Sequence, residues 1–355
     1  MRRCPRRRTH DPKRRRPPLS WLAVVVALAT SAITVGLAAP PRLPLNSLDV
    51  MPPSDRVTGA LGMLRVHEQS CQSRDLTDQQ RRQRIVDLAV QEWSYFGFTV
   101  VDYTENQPST RGPRKGRRRW SLLNSSDTSR VADSIAGYWT VTPEGTWIIN
   151  NQNERWKRTG ADTRWRTPWS AAFISWVMCE SGLAESAQFQ RAVAHHTYID
   201  QAIRARDRAL SSAAFTAHDI GETSVSPGDL LCSGRRPAYR SLADRRRQMG
   251  EGARTHCDVV VALDLSRRRI LTIGGNVRAT VALKLLPARP TTGSGLQPAG
   301  GRRPLFAHLK LRAQPIASDA LDHSPALRAA VCSGRLLPVA LTTADVAPSA
   351  ALARC

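Results

Sequence analysis

The sequence has no pair of cysteines in the C-x-x-C spacing, although it contains seven cysteines. The common structural zinc sites use such pairs, so this absence removes the support for a zinc centre. The glycine pair at 274–275 lacks a surrounding G-x-x-x-x-G-K pattern, which argues against a phosphate-binding loop. The sequence therefore predicts neither a metal site nor a bound cofactor.

Lysine is also rare: five occur in a chain whose 52 Lys and Arg residues outnumber its 29 Asp and Glu residues. The formal charge of +23 comes mainly from arginines scattered along the chain. No basic stripe with interleaved aromatic residues is present, so we predict no nucleic-acid binding. A basic surface instead favours anionic envelope polymers or lipid headgroups.

The chain opens with a basic segment and an apolar stretch. The first 20 residues carry nine Lys and Arg and one acid, and nineteen uncharged residues follow from Trp21 to Ala39. This order is typical of a signal anchor or a cleaved signal peptide. The apolar stretch is just long enough to span a bilayer, so we predict a single-pass membrane protein with its C-terminal part outside the cytoplasm. Cleavage near the small residues at 36–38 is the alternative, and it would give a secreted protein.

Composition divides the chain into five parts. Residues 1–20 are a cytoplasmic Arg-rich segment, 21–39 the anchor or signal, 40–78 a Pro-rich tether, 79–312 a folded domain and 313–355 a variable tail. Within the domain, residues 104–130 are polar and basic and indicate a surface insertion. Export places six cysteines in an oxidising space, and Cys232 and Cys257 border neighbouring apolar runs that favour a cross-strand disulfide. A free buried thiol is the alternative for Cys179.

The domain reads as helices followed by strands. Helical periodicity covers 79–100, 169–181 and 186–206, and residues 135–150 fit either a helix end or a short strand. Strands begin at Leu230, and the run from Asp258 to Leu263 is typical of a strand buried on both faces. A turn is predicted at 274–276, followed by a half-exposed strand in which Lys284 faces solvent. We predict an α+β fold with N-terminal helices packed on an antiparallel meander.

Ser170 stands at the start of the predicted helix 169–181. Pro168 precedes an apolar face that includes Trp169, and Gly182 suits the end of the helix. Unpaired N–H groups and the helix dipole favour developing negative charge at such a position, which suits a nucleophile. An ordinary capping serine is the alternative.

Two further polar residues fall where they could complete a site. His256 opens one predicted strand, and Asn276 follows the next. His256 would act as a base for Ser170 and Asn276 would orient its ring, with Asp258 as an alternative orienting group. Trp169, His196 and Asp258 are candidate binding residues, because indole rings bind sugar faces and one of His195 and His196 can line a cleft. A core position for the tryptophan, a structural role for the histidines and a solvated strand-edge acid are the alternatives.

Several motifs, in this order, resemble the bacterial family called domain of unknown function 2272, over roughly residues 80–312. They are Pro168–Val177, Pro227–Leu231, His256–Val260 and Ile273–Val277, and the pairs Glu92–Trp93 and Tyr138–Trp139 and the segment His196–Ile199 also fit. The chain is more distantly similar to the papain-like cell-wall amidases of the CHAP and NlpC groups. That resemblance implies a papain-like fold, with Ser170 at the position of the nucleophilic cysteine, His256 as base and Asn276 as orienting residue.

Serine in place of cysteine changes the chemistry that this resemblance implies. A thiol near a helix N-terminus can be held as a thiolate, whereas a hydroxyl loses its proton only during attack. We expect an exported amide hydrolase acting on peptidoglycan or another envelope polymer. The alternatives are a non-catalytic envelope-binding module that has lost its nucleophile, and an envelope protein that shares only the architecture.

Overall fold

The computed structural model describes residues 41–43, 45–104, 123, 125–161, 163–236, 238–291, 295–300 and 304–333. The predicted cytoplasmic segment, the anchor or signal at 21–39 and most of the basic insertion at 104–130 lie outside these residues. None of the helices in the described ranges combines the length and the apolar composition that a bilayer-spanning segment needs.

Helices dominate the first half of the described chain. The α-helices are α1 (Leu45–Leu48), α2 (Asp78–Tyr95), α3 (Ser125–Arg130), α4 (Ala132–Thr140), α5 (Gly145–Thr159), α6 (Ser170–Glu180), α7 (His195–Asp207), α8 (Leu242–Arg246) and α9 (Pro325–Cys332), and 3₁₀ turns cover Pro53–Arg56 and Ala320–His323. The predicted helix at 169–181 is confirmed as α6, and the one at 79–100 is confirmed as α2, which ends at Tyr95, before β3 begins at Val100. Residues 135–150 instead belong to two helices, α4 and α5, and α7 begins only at His195, nine residues after the predicted start at 186.

Strands dominate the second half. They are β1 (Val57–Thr58), β2 (Arg65–Val66), β3 (Val100–Asp102), β4 (Phe215–His218), β5 (Leu230–Arg236), β6 (Arg254–Asp264), β7 (Arg269–Val277), β8 (Thr280–Pro290), β9 (Leu296–Pro298) and β10 (Leu305–Leu311). The large sheet has the order β3-β8-β7-β6-β5-β10-β4, with β9 paired to β8. Strand β3 runs parallel to β8, and the other pairs are antiparallel. The predicted α+β class and the antiparallel meander, which is β5 to β8, are confirmed.

Helix α6 lies in the core and packs on β6 and β7. All eleven of its residues are buried, so the helix is enclosed on every side and not only along the predicted apolar face. Gly182 has a φ of 87°, and the N–H of Leu183 donates to the carbonyl of Met178, 3.1 Å away. This is the left-handed ending that the glycine predicts.

The sheet is buried on both faces at its centre. Val259 and Val261 join the main core with α2, α6 and α7, whereas Val260 joins a smaller core with Leu231 and Ile270 on the other face. Side chains alternate between the two faces of a strand, so a continuous apolar run needs cover on both sides. The prediction for Asp258 to Leu263 is confirmed from 258 to 262, while Leu263 is partly buried.

The described part of the predicted tether, from residue 41 to 78, packs against the domain. Leu48, Val50, Val57 and Leu64 are buried in the main core, and Arg56 forms a buried ion pair with Glu180 at the end of α6. These contacts hold the segment in place despite its proline content, so the prediction of a free tether is wrong for these residues.

The predicted tail also packs in part. Ala320 and Leu321, and then Ala326, Leu327 and Ala330 of α9, are buried in the main core, and α9 lies against α2. An apolar face of only two turns carries little periodic signal, which explains why the sequence did not reveal this helix. The rest of the predicted tail, from 334 to 355, lies outside the described residues.

Disulfides fix two regions of the domain. Cys232 and Cys257 are bonded across β5 and β6, as predicted, and Cys71 is bonded to Cys179 of α6. Cys179 is therefore not a free thiol. Cys332 is also disulfide-bonded.

Candidate serine–histidine site

Ser170 is the first residue of α6, and its hydroxyl does not cap the helix. The residue that caps the helix is Trp169, and no side chain there accepts a bond from the helix. Instead, Ser170 Oγ lies 2.6 Å from Nε2 of His195. The side chain of Ser170 thus faces another functional group, and the capping-serine alternative is wrong.

His195 is the first residue of α7, and its other ring nitrogen is surrounded by donors. The backbone N–H of Cys257 donates to Nδ1 over 3.2 Å, and the hydroxyl of Tyr198 also contacts Nδ1. A backbone N–H cannot accept a hydrogen bond, so Nδ1 is the acceptor and the ring proton is on Nε2. His195 therefore donates to Ser170 Oγ, which leaves the serine proton free for a different acceptor.

His256 lies next to this pair on β6. The ring centroids of His195 and His256 are 5.2 Å apart. Nε2 of His256 lies 2.9 Å from Oδ1 of Asp258 and 3.0 Å from Nζ of Lys284. Residues 256 and 258 share one face of the strand because side chains alternate, which brings the imidazole and the carboxylate together.

Lys284 and Asp258 form a buried ion pair behind His256. Nζ of Lys284 lies 2.7 Å from each carboxylate oxygen of Asp258, and both side chains are less than a tenth exposed. The predicted solvent-facing position of Lys284 is wrong. Strand β8 is covered on both faces, so the alternation that suggested exposure instead places the ammonium in the interior.

Burial controls the charge of this cluster. Desolvation, with further repulsion from His256, lowers the pKa of His195 well below its ordinary value. Desolvation and the charge of Lys284 lower the pKa of His256 to about 4. Burial opposes ionisation of Asp258, but Lys284 and His256 together hold the pKa of its carboxyl below the usual range. At neutral pH the site therefore holds two neutral imidazoles beside the ionised carboxylate of Asp258.

The glycine pair 274–275 makes room for the cluster. A Cβ on Gly274 would lie 1.8 Å from Oδ1 of Asp258, and a Cβ on Gly275 would lie 2.6 Å from Cβ of Phe173 in α6. The first glycine admits the carboxylate and the second admits the central helix. The strand does not break here as predicted: β7 continues to Val277 through an irregularity in its pairing with β8.

One cavity reaches Ser170 and both histidines. It has a volume of about 1080 Å³, and its lining includes Ser170, His195, His256 and Asn276. The side chains of Asp258 and Lys284 are reached from a smaller cavity of about 230 Å³. Nδ1 of His256 has no hydrogen-bond partner among the described residues, and it is not sealed off from solvent. It is therefore accessible from the larger cavity, which His256 lines.

The remaining predicted residues differ in their positions. Asn276 lines the cavity with a φ of 55°, but within the described chain it makes no hydrogen bond to His256, whose partner is Asp258. Trp169 is 2% exposed and packs against Phe96 and Tyr138, so it is a core residue. His196 is outside the cavity lining, and its Nδ1 lies 3.2 Å from the carbonyl oxygen of Ala253.

The sequence analysis did not include His195 or Lys284 among the predicted catalytic residues. The tandem histidines at a helix start were a signal for the first, although they did not indicate which ring faces the site. Lys284 is one of five lysines in an arginine-rich chain, and this rarity was the available signal. Its ammonium is buried against Asp258 of β6, a contact between strands that no local pattern predicts.

Fold and site together define an α+β domain with a serine–histidine cluster where the first residues of α6 and α7 meet strand β6. The chain belongs to the family described as uncharacterised protein conserved in bacteria, DUF2272, whose model matches residues 127–311. The matched range contains Ser170, His195, His256, Asp258 and Lys284. No curated protein and no solved structure matches the chain.

Proposed function

We propose that this protein is an exported envelope hydrolase that cleaves an amide bond of peptidoglycan with Ser170 as nucleophile. The observation that carries the proposal is the shared cavity, which is lined by Ser170 and by two neutral imidazoles. A buried carboxylate is hydrogen-bonded to one of these imidazoles. A hydroxyl, a neutral imidazole and an orienting acid are the groups that serine acyl transfer requires. The papain-like relationship of the fold is part of this proposal.

The two histidines have different roles in the proposed reaction. His195 carries its proton on Nε2 and donates to Ser170, so it positions the hydroxyl and does not receive its proton. His256 has Nε2 beside Asp258, and its Nδ1 is on the side of the cavity. With the proton of His256 on Nε2, the lone pair of Nδ1 is the base. Ser170 and His256 are not hydrogen-bonded within the described chain, so substrate or a water molecule bridges them before reaction.

The reaction proceeds in two halves. Ser170 Oγ forms a bond to the amide carbon while its proton passes to Nδ1 of His256, and the N–H of Ala171 at the start of α6 donates to the developing oxyanion. The C–N bond then breaks, and the amine leaves with the proton from His256. Water attacks the resulting ester with His256 again taking a proton, which returns the hydroxyl to Ser170 and releases the acid.

Export is supported by sequence and by covalent structure. The basic residues before an uncharged stretch at 21–39 fit an anchor or a signal, and the bonds Cys71–Cys179 and Cys232–Cys257 suit an oxidising compartment. We propose a single-pass membrane location, or a secreted protein if the signal is cleaved. The partners are then an envelope polymer and, through the N-terminus, the membrane.

Turnover of purified cell walls tests the function. Wild type is expected to release soluble fragments with new amino termini, and Ser170→Ala is expected to lower the rate at least about a thousandfold because the attacking atom is gone. Ser266→Ala is the matched control, since that serine is exposed and bonds only Asp264 in the described structure. Unchanged turnover in Ser170→Ala would remove the nucleophile from the proposal.

A non-catalytic envelope-binding module is the second candidate. It is favoured by one observation, which is that Ser170 accepts a bond from His195 and has none to His256. Wild type without turnover but with wall binding, and a gain of turnover in Ser170→Cys, would support this alternative over the hydrolase. A gain is expected there because a thiolate needs no proton acceptor during attack.

A further inference from the structure

The cavity at Ser170 has an exposed indole ring on its rim. Trp147 of α5 is 69% exposed, the highest value among the large apolar side chains of the described chain, and it lines the cavity. The next residue, Ile148, is buried at 4%, so the helix is anchored while the ring stays in solvent. A tryptophan held in water on a rigid helix beside a cavity is a favourable surface for a flat apolar face of a ligand.

The same cavity has an excess of positive charge. Its described lining contains Arg235 and Arg254 against a single carboxylate, Glu144. Arg254 is exposed, and no carboxylate among the residues that the structure describes forms an ion pair with it. Arg235 also lies close enough to contribute to the lowered pKa of both His195 and His256. A ligand carboxylate therefore finds a favourable potential in this cavity.

Strand geometry relates this charge to the reacting groups. Arg254 and His256 lie two residues apart on β6, so they project to the same face about 7 Å apart along the strand. A cavity of about 1080 Å³ exceeds what a single amino acid fills and accommodates a short peptide with one sugar unit.

Resting on the proposed function, we infer that the substrate is an anionic glycopeptide whose sugar ring stacks on Trp147 and whose carboxylate pairs with Arg254, next to the bond presented to Ser170. Each contact recognises a different part of the ligand. Removing the carboxylate therefore removes only the interaction with Arg254, and removing the sugar removes only the interaction with Trp147.

Binding to the full-length Ser170→Ala protein tests this inference without turnover. The probes are N-acetylmuramoyl-L-alanyl-D-isoglutamine, the same compound with its free carboxylate converted to a primary amide, and N-acetyl-L-alanyl-D-isoglutamine, which lacks the sugar. We expect the amide form to bind about tenfold more weakly and the sugar-free form about fivefold more weakly.

Variants at the rim assign each loss to one side chain. Adding Arg254→Gln is expected to abolish the preference for the carboxylate and to keep the preference for the sugar, whereas Trp147→Ala is expected to do the reverse. Arg247→Gln and Met63→Ala are matched controls, because both residues are exposed and neither lines the cavity.

The two proposals fail separately. Equal affinity for all three probes, or rim variants that leave both preferences unchanged, would overturn the glycopeptide inference even if wild type hydrolyses cell walls. The expected binding pattern in a protein without turnover would support the inference and overturn the hydrolase.

Discussion

His256 is neutral in the folded protein because it is buried beside a cation, and this has a consequence for stability. Its pKa is about 4 in the fold, below the ordinary value of 6.5. The unfolded chain therefore binds the proton more readily than the folded chain between these values. By linkage, the contribution of this residue to the free energy of unfolding falls as the pH is lowered through 6.5 toward 4.

A comparison of variants isolates this effect from other titrating groups. Between pH 7 and pH 5, wild type is expected to lose about 2 kcal/mol of unfolding free energy relative to His256→Gln. The measurement is denaturant unfolding at both pH values. His67→Gln is the control, since His67 is exposed and bonds the rest of the chain through its backbone. Parallel curves for wild type and His256→Gln would contradict the lowered pKa.

Asp258 and Lys284 act on His256 from behind, out of contact with the larger cavity. In the proposed mechanism the carboxylate accepts a hydrogen bond from Nε2–H and so leaves Nδ1 as the base, while the ammonium keeps the carboxylate ionised. Breaking a buried pair leaves one uncompensated charge, so either single removal is expected to be strongly destabilising. These two residues are positioning residues for His256.

At the scale of elements, the site depends on how closely β7 approaches its neighbours. Gly274 is the point of closest approach, because any Cβ there would meet the Asp258 carboxylate at 1.8 Å. The strand, the central helix α6 and the carboxylate are brought together by the absence of two side chains. This gives the glycine pair a packing function in place of the phosphate loop that the sequence already disfavoured.

Gly274→Ala is expected to lower the free energy of unfolding by about 2 kcal/mol, because the added methyl group forces the carboxylate away from His256 and Lys284. Denaturant titration measures the change. Gly252→Ala is the control, since a Cβ there meets nothing within 4 Å.

A double-mutant comparison tests the mechanism of that loss. In an Asp258→Ala, Lys284→Met background the atom that clashes is gone, so the additional effect of Gly274→Ala should fall to less than half. An undiminished effect in that background would show that the strain lies elsewhere in the strand.

At the scale of the whole molecule, the bonds Cys71–Cys179 and Cys232–Cys257 connect separate parts of the described chain. The Cys71–Cys179 bond closes a separation of 108 residues and ties the N-terminal segment to α6, whereas Cys232–Cys257 closes 25 residues between β5 and β6. A cross-link stabilises mainly by restricting the unfolded chain, and the effect grows slowly with the size of the loop.

Replacing both cysteines of a pair by serine should therefore rank the bonds by loop length. We expect a loss of about 5 kcal/mol for Cys71 and Cys179 and of about 3 to 4 kcal/mol for Cys232 and Cys257. Unfolding midpoints of the two double variants give the order. A larger loss for the shorter loop would mean that native contacts, and not chain entropy, dominate the second bond.

Sequence patterns were reliable where one element determines them. The start of α6 at Ser170, its end near Gly182 and the meander follow from proline, glycine and apolar periodicity close in sequence.

Asp229 shows the limit of this reasoning. Its Pro-Gly context is typical of an exposed turn residue, yet its carboxylate is fully buried between Arg82 and His308. A turn residue becomes interior when later strands cover it, which local sequence does not encode.

The sequence by itself determined that the chain folds as α+β and that a hydroxyl begins its central helix, and it favoured a bond between Cys232 and Cys257, because each depends on neighbours in one element or in adjacent strands. Tertiary structure alone decided which imidazole contacts Ser170, which acid orients His256 and that Lys284 is buried. These depend on distances between residues far apart in the chain, which packing of α6 and α7 against β6 to β8 fixes. Packing thus brought His195 to Ser170 and selected Asp258, and not Asn276, as the partner of His256.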